Sequence, residues 1–343
     1  MNKEYFMGAS TAEGYKTEFY NEYRDFYGYY IKGGPGTGKS TLMKKLSDAF
    51  PDGNKSFYYC SSDPKSFDAV VFEDKKFFIA DATAPHEANV KLPFVTGEII
   101  DMAQGLNEDI LRAEKDKIIY LNNENQGCHT LVKKYLAEIS ALQKSLISLG
   151  KEKIEKHALD KFVNEFTTSN LKENHSSGLI SYRQRIANTP QGKLCKTDNA
   201  RLVVLKDDLL YASHYIIGEF IKCAVLKGYP AEITKSATLD GKDMLVFIPS
   251  LNLMLCAEQN LSTDAESTDL KDLYFADLSE ETKAFINFTN NSIREAEENI
   301  KNTLNKALQI HDELEEFYID AIDKHSLDKK FNELKRKISK RHF

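Results

Sequence analysis

The stretch that most constrains this chain is Phe26 to Lys45, FYGYYIKGGPGTGKSTLMKK. A short apolar run, Tyr29-Tyr30-Ile31, leads into Gly33-Gly34-Pro35-Gly36-Thr37-Gly38-Lys39-Ser40, and a helix-like pattern follows. The spacing fits G-x-x-x-x-G-K-[ST] in the strand–loop–helix setting that this pattern requires. Each residue type has a physical task there. Glycines permit positive φ and close backbone approach, so consecutive N–H groups can face an anion. A helix starting near Lys39 adds its positive N-terminal end. The Lys39 ammonium is expected to reach β- and γ-phosphates, the Ser40 hydroxyl to hold Mg²⁺, and Thr41 to steady the loop. A plain turn explains the segment poorly. It needs one glycine, whereas four stand here, and a helix start disfavours the positive charge of Lys39.

A second signal lies about forty residues downstream. Phe77-Phe78-Ile79-Ala80-Asp81 reads as an apolar strand with an acid at its carboxyl end. Buried parallel strands read as apolar runs, and ligands gather at their carboxyl ends. Asp81 is therefore expected on the Mg²⁺ side of the site, with Ser40 as the other metal-side residue. Ala82 follows it, so no glutamate stands beside it to orient a water. Asp63, Thr83 and His86 are the candidates for that task.

Around these motifs the chain reads as alternating strands and helices. Strands are expected at Phe57–Cys60 and Ala69–Phe72, and a turn at Pro51-Asp52-Gly53. Residues 98–165 read as helical. There Val132, Leu136, Ile139, Gln143 and Leu146 keep the 4-3-4-3 spacing of a helical hairpin seam. Gly127 and Gly150 are expected to break that helix. Residues 167–181 read as a polar linker.

The chain also repeats itself. Ile154-Glu155-Lys156-His157-Ala158-Leu159-Asp160-Lys161 pairs with Ile322-Asp323-Lys324-His325-Ser326-Leu327-Asp328-Lys329, and Asp68–Phe72 resembles Asp243–Phe247. Thr11-Ala12-Glu13-Gly14 likewise resembles Thr189-Pro190-Gln191-Gly192. The order of the matches is collinear. In this alignment Val203–Lys206 falls on Tyr29–Lys32, and Asp207-Asp208-Leu209-Leu210-Tyr211-Ala212-Ser213-His214 replaces the glycine loop, with Ser213 in the position of Lys39. The strand matching Phe77–Asp81 is Leu253–Ala257, without its acid. Carboxylates where phosphates would sit repel them, so the second copy is expected not to bind a triphosphate. The expected organisation is a first repeat over 1–166, with a helical arm at about 98–166. A linker over 167–181 and a degenerate second repeat over 182–343, with its arm at about 277–343, complete it. The expected fold is α/β: a duplicated, mainly parallel sheet with flanking helices, each copy followed by a long helical hairpin.

The motifs YFMGASTAEG, GGPGTGKSTLMKK, YCSSDPKSFDAVVF, IADATAPH and HDELEEFYIDAID together resemble a family of bacterial proteins built from two phosphate-loop NTPase repeats. The resemblance covers most of the chain. It implies a nucleotide site, ATP with Mg²⁺, and no defined pathway. The second copy departs from the family pattern, in which both halves carry a loop with glycine and lysine.

Charge and length narrow the partners. The 343 residues carry 46 basic and 52 acidic side chains, a formal net charge of −6, which argues against a general nucleic-acid binder. No apolar run approaches the length of a membrane span, and the N-terminus lacks the apolar core of a signal peptide. Five scattered cysteines suggest reduced thiols and a cytoplasmic setting. The leading expectation is an ATP-binding protein that slowly hydrolyses the β–γ bond. Gly33, Gly34, Pro35, Gly36, Thr37, Gly38, Lys39, Ser40 and Thr41 would hold the nucleotide. Lys39, Asp81, Asp63 and His86 are the catalytic candidates. The rivals are a nucleotide or small-molecule kinase and a non-enzymatic switch whose helical arms meet a protein partner.

Overall fold

A computed structural model describes residues 2–85, 87–174, 176–261, 264–275 and 278–341. In chain order it contains β1 (Lys3–Phe6), β2 (Ala9–Thr11), β3 (Gly14–Lys16), the short helix α1 (Phe19–Glu22), β4 (Tyr27–Lys32), α2 (Lys39–Ala49), β5 (Lys55–Tyr59), β6 (Phe67–Phe72), β7 (Phe77–Asp81), β8 (Gly97–Asp101), α3 (Glu108–Ala113), α4 (Lys115–Lys153) and α5 (Lys156–Asn170). It continues through β9 (Ile180–Tyr182), β10 (Ile186–Thr189), β11 (Gly192–Cys195), β12 (Arg201–Lys206), α6 (Tyr211–Leu226), β13 (Ala231–Lys235), β14 (Asp243–Ile248), β15 (Leu253–Cys256), β16 (Glu266–Asp269), α7 (Glu280–Ala321) and α8 (Lys324–Lys340). Among the described residues no helix is long and apolar enough to cross a membrane.

The architecture is α/β with two six-stranded mixed sheets. The first has the order β1-β5-β6-β7-β4-β8, and the second β9-β13-β14-β15-β12-β16. The pairing senses match position by position. In each sheet five strands run one way, and only β6 in the first and β14 in the second run against their neighbours. The expected mainly parallel sheet thus has an antiparallel member. The reason is chain length: only four residues, 73–76, join β6 to β7, far fewer than a parallel crossover needs.

Smaller features match as well. Both β5–β6 and β13–β14 carry a register shift, at Tyr58/Tyr59 and Thr234/Lys235. The turn before β7 ends on left-handed Lys76 (φ 52°), and the turn before β15 on left-handed Asn252 (φ 49°). In the β2–β3 hairpin Thr11 Oγ1 donates to Gly14 O (2.7 Å), and in the β10–β11 hairpin Thr189 Oγ1 donates to Gly192 O (2.8 Å).

The chain folds as two compact units interleaved in sequence. One comprises Met1–Gly8, Phe19–Leu131 and Asn302–Phe343; the other comprises Ala9–Glu18 and Val132–Lys301. This division crosses the expected boundary. The helical segment 132–166, read as the first repeat's arm, packs in the unit of the second sheet. Residues 302–341 pack in the unit of the first.

In the first unit both faces of the sheet are buried and apolar. Tyr29, Ile31, Val70, Phe77 and Ile79 face Leu42, Met43 and Leu46 of α2 and Leu334 and Ile338 of α8. Alternate residues of the same strands, among them Val71, Phe78 and Ala80, point the other way onto Phe19 and Tyr23, as the period of two in a strand requires. Each fully buried aliphatic side chain here is worth about 1.5–3 kcal/mol. A separate helix pair closes through Leu121 and Cys128 of α4 and Ala307, Ile310 and Leu314 of α7.

In the second unit α6 packs on its sheet through Ile216, Ile217 and Phe220, with Leu159 and Val163 of α5 laid against it. Val132, Leu136, Ile139 and Leu146 are all buried, as their spacing predicts. Two expectations for the segment read as helical fail. Residues 97–101 are the edge strand β8, not helix, and α4 runs unbroken through Gly127 and past Gly150. Gly150 serves close approach instead: a Cβ there would lie 2.7 Å from Tyr211 Cβ. Regular structure also enters the expected linker from both ends, since α5 extends to Asn170 and β9 starts at Ile180.

Candidate functional site

Strand β4 ends at Lys32 and α2 begins at Lys39, so six residues, 33–38, form the loop between them. The backbone enters left-handed space at Gly36 (φ 68°) and again at Gly38 (φ 82°), which caps α2. A residue with a Cβ disfavours that region by about 1–2 kcal/mol. Gly38 offers no side-chain cap, so the first amides of α2 lack the usual local acceptor. Thr37 is fully buried, and its hydroxyl donates to Gly34 O (2.8 Å), bracing the curve from inside.

Lys39 lies across the loop. Its Nζ donates to Gly33 O (3.1 Å) and Gly34 O (2.7 Å) and sits 3.6 Å from Asp81 Oδ2. Parallel pairing of β4 with β7 brings Asp81 there, opposite Ile31. Asp81 Oδ1 accepts from the Thr83 amide (2.8 Å), and its carbonyl accepts from the Tyr20 hydroxyl (3.2 Å). Burial pushes the Tyr20 phenol well above its ordinary range, so it remains a neutral donor. Thr83 Oγ1 donates to Gly33 O (3.0 Å), and the Lys32 ammonium donates to Ala82 O. These bonds tie the end of β7 to the loop.

Ser40 Oγ accepts from the Phe67 amide (3.0 Å). Its hydroxyl and the Asp81 carboxylate are hard oxygen donors, the chemistry that suits Mg²⁺ completed by water and phosphate oxygens. Among the described residues no cluster of three or more His, Cys, Asp or Glu side chains could hold a metal ion on its own. Thr41 is exposed on α2, and Pro35 is half-buried.

Asp63 is engaged within its own turn. It caps the turn after β5, accepting from the Lys65 amide (3.2 Å) and the Ser66 hydroxyl. His86 lies outside the described residues. The structure thus brings Gly33–Ser40, Asp81 and Thr83 together and engages Asp63 in its own turn.

Three residues near the loop come from far along the chain. The Gly36 amide donates to Glu315 Oε1 (3.1 Å), and His311 Nε2 lies 3.3 Å from that same oxygen, one helical turn away on α7. The His311 bond, helped by the Gly36 amide and the Lys39 charge, holds the Glu315 carboxyl below its usual range. Tyr318 packs on bare backbone: a Cβ at Gly34 would lie 2.7 Å from its ring, and one at Gly36 would lie 2.6 Å from Glu315 O. These residues lie within the HDELEEFYIDAID stretch, but nothing in that stretch ties it to a loop 279 positions away.

The second sheet carries a different loop at the same place. Between β12 and α6 stand four residues, Asp207–Leu210, two fewer than in the first. Leu210 takes the left-handed cap (φ 60°) that Gly38 takes in the first loop. The helix therefore opens on Tyr211, and Tyr211 rather than Ser213 holds the position of Lys39. Asp207, almost fully buried, accepts from the amides of Leu209 (3.1 Å) and Ser213 (2.8 Å) and from the Tyr274 hydroxyl (2.8 Å). Burial raises the Asp207 carboxyl above its ordinary range, against the pull of those donors. This loop carries its own anion.

Comparison with protein-family models, with curated proteins and with solved structures finds no match to this chain.

Proposed function

We propose that the chain binds one nucleoside triphosphate with Mg²⁺ at Gly33–Thr41 and cleaves its β–γ bond slowly. The observation that carries this reading is the loop itself. Two left-handed glycines turn the backbone into the N-terminus of α2, and Lys39 lies across it 3.6 Å from Asp81. Backbone amides and a helix start attract phosphate, and Lys39 supplies the mobile positive charge. On binding, Lys39 exchanges its bonds to Gly33 O and Gly34 O for phosphate oxygens. Ser40 and Asp81 would hold Mg²⁺, which neutralises phosphate charge when bound. ATP is the nucleotide that the family resemblance implies.

The same reading takes the chain as an internal duplication of a phosphate-loop fold. Identical strand order, matching pairing senses and paired bulges support it. In the second copy the carboxylate of Asp207 takes the donors that a phosphate would need.

The second reading is a non-enzymatic switch. Its support is the engagement of the water-orienting candidates: Asp63 caps its own turn, and Thr83 bonds Gly33.

Lys39→Ala tests the first reading. Loss of several charge-assisted hydrogen bonds should weaken Mg-ATP binding about hundredfold. Equilibrium titration and phosphate release measure it, and a variant that binds and turns over ATP like wild type overturns the proposal. Tight binding with no product after hours favours the switch.

A further inference from the structure

Glu315 occupies the position where the glycine loop offers a backbone amide to an anion. Its carboxylate oxygen sits 3.1 Å from the Gly36 nitrogen, and Lys39 is close enough to bias its charge state. The contact is not incidental to a passing helix. Tyr318 and the Glu315 carbonyl lie against Gly34 and Gly36 so closely that a methyl group on either glycine would collide. Leu327 of α8 lies against Gly38, and Lys45 of α2 pairs with Asp328 of α8 (2.7 Å). The loop is thus covered by the chain's own C-terminal helices within one compact unit.

Glu315 is nevertheless poorly anchored. Its side chain is 37% exposed, and it also pairs with His311 on the same helix, which moves with it. A carboxylate bears one charge and fits one amide here, whereas a triphosphate bears several and meets a whole row of amides plus Lys39. Both cannot hold the Gly36 amide, and like charges at that distance repel.

We infer that the His311–Tyr318 stretch of α7 is a latch in which Glu315 stands in for phosphate, so that a triphosphate and the seated helix exclude each other. The inference rests on the nucleotide reading above and adds its regulation. Nucleotide binding then costs the displacement of this stretch, and displacement of α7 is the output the bound nucleotide produces. The coupling is reciprocal: whatever pulls α7 away raises nucleotide affinity by the same factor.

The test is Mg-ATP titration of the full chain as wild type, Glu315→Gln, Tyr318→Ala, Lys39→Ala and the Lys39→Ala/Glu315→Gln pair, each first checked for cooperative thermal unfolding. Glu315→Gln removes the competing charge and should tighten binding about tenfold. Tyr318→Ala loosens the same stretch without touching the carboxylate and should act in the same direction. In wild type, hydrogen exchange over 311–318 should quicken when Mg-ATP is added. Tightening in either folded variant, abolished by Lys39→Ala, supports the latch. Affinity equal to or weaker than wild type in both variants overturns it while leaving the nucleotide site intact. Tightening that survives Lys39→Ala also overturns it, because the nucleotide then binds elsewhere. No binding by any of the proteins removes the nucleotide reading and the latch together.

Discussion

The two loops at the ends of β4 and β12 meet one electrostatic problem with two solutions. Each follows a buried strand, turns left-handed before a helix and presents backbone amides to an anion. In the second loop that anion is Asp207, built into the loop, almost fully buried and bonded to three donors. In the first it is Glu315, which arrives on a separate helix, stays partly exposed and meets one amide. An internal anion makes a static structure. A borrowed one can be exchanged. The difference teaches that the type of anion and the type of loop go together: where Asp207 satisfies the amides from within, a non-glycine residue, Leu210, serves at the left-handed cap.

This contrast can be broken by substitution. The largest effect is expected at Asp207→Ala, which leaves two amides and a buried hydroxyl without their acceptor. Each such loss costs about 1–3 kcal/mol, partly offset by removing a buried charge, so a net loss of about 3 kcal/mol is expected in urea unfolding. A loss near zero would show that Asp207 does not hold the second loop. Glu315→Ala, in contrast, should change stability little, because a half-exposed contact is screened by water.

Gly36→Ala comes next. It forces a Cβ into left-handed space and against Glu315 O at 2.6 Å, and should cost about 2 kcal/mol. Unchanged stability would mean that the helix does not sit on the loop as described. Tyr274→Phe is smaller. It removes the hydroxyl that donates to Asp207 and accepts from the Ala212 amide (2.9 Å), at about 1 kcal/mol.

The smallest effect is in pH dependence, and its sign differs between the loops. The Asp207 carboxyl is raised, so the folded chain holds its proton more tightly than the unfolded chain. Its contribution is fully present below the unfolded carboxyl value and is lost as pH rises through the raised folded value. The Glu315 carboxyl is lowered, so its contribution is present above the unfolded value and lost as pH falls through the folded one. Comparing stability across acid pH for Asp207→Asn and Glu315→Gln separates the two slopes. Slopes of the same sign would contradict the contrast.

How much of this was legible in the sequence follows from which forces act locally. The strands at 57–60, 69–72 and 77–81 and the loop at 33–40 could be read because apolar runs and glycine spacing are local. Strand β8 was hidden: Gly97-Glu98-Ile99-Ile100-Asp101 borders a long helical pattern, and as an edge strand it buries the charged Glu98 and exposes the apolar Ile99. The helical arms were legible as amphipathic, but a stripe says only that a face is buried, not which sheet covers it. Leu159 and Val163 of α5 therefore turned up on α6, and Leu334 and Ile338 of α8 on α2. The length of the second loop was misread by two residues, because strand patterns fix a strand's face and not where the following helix starts. Glu315, His311 and Tyr318 stood in a recognisable motif, but their place at the loop was not legible, since their partners lie far along the chain.

The most direct test of the central claim is stoichiometry. Calorimetric titration of the full chain with Mg-ATP should give one site per chain, lost in Lys39→Ala and retained when Tyr211, at the start of the second helix, is changed to Ala. Two sites per chain, or a single site indifferent to Lys39, would contradict it.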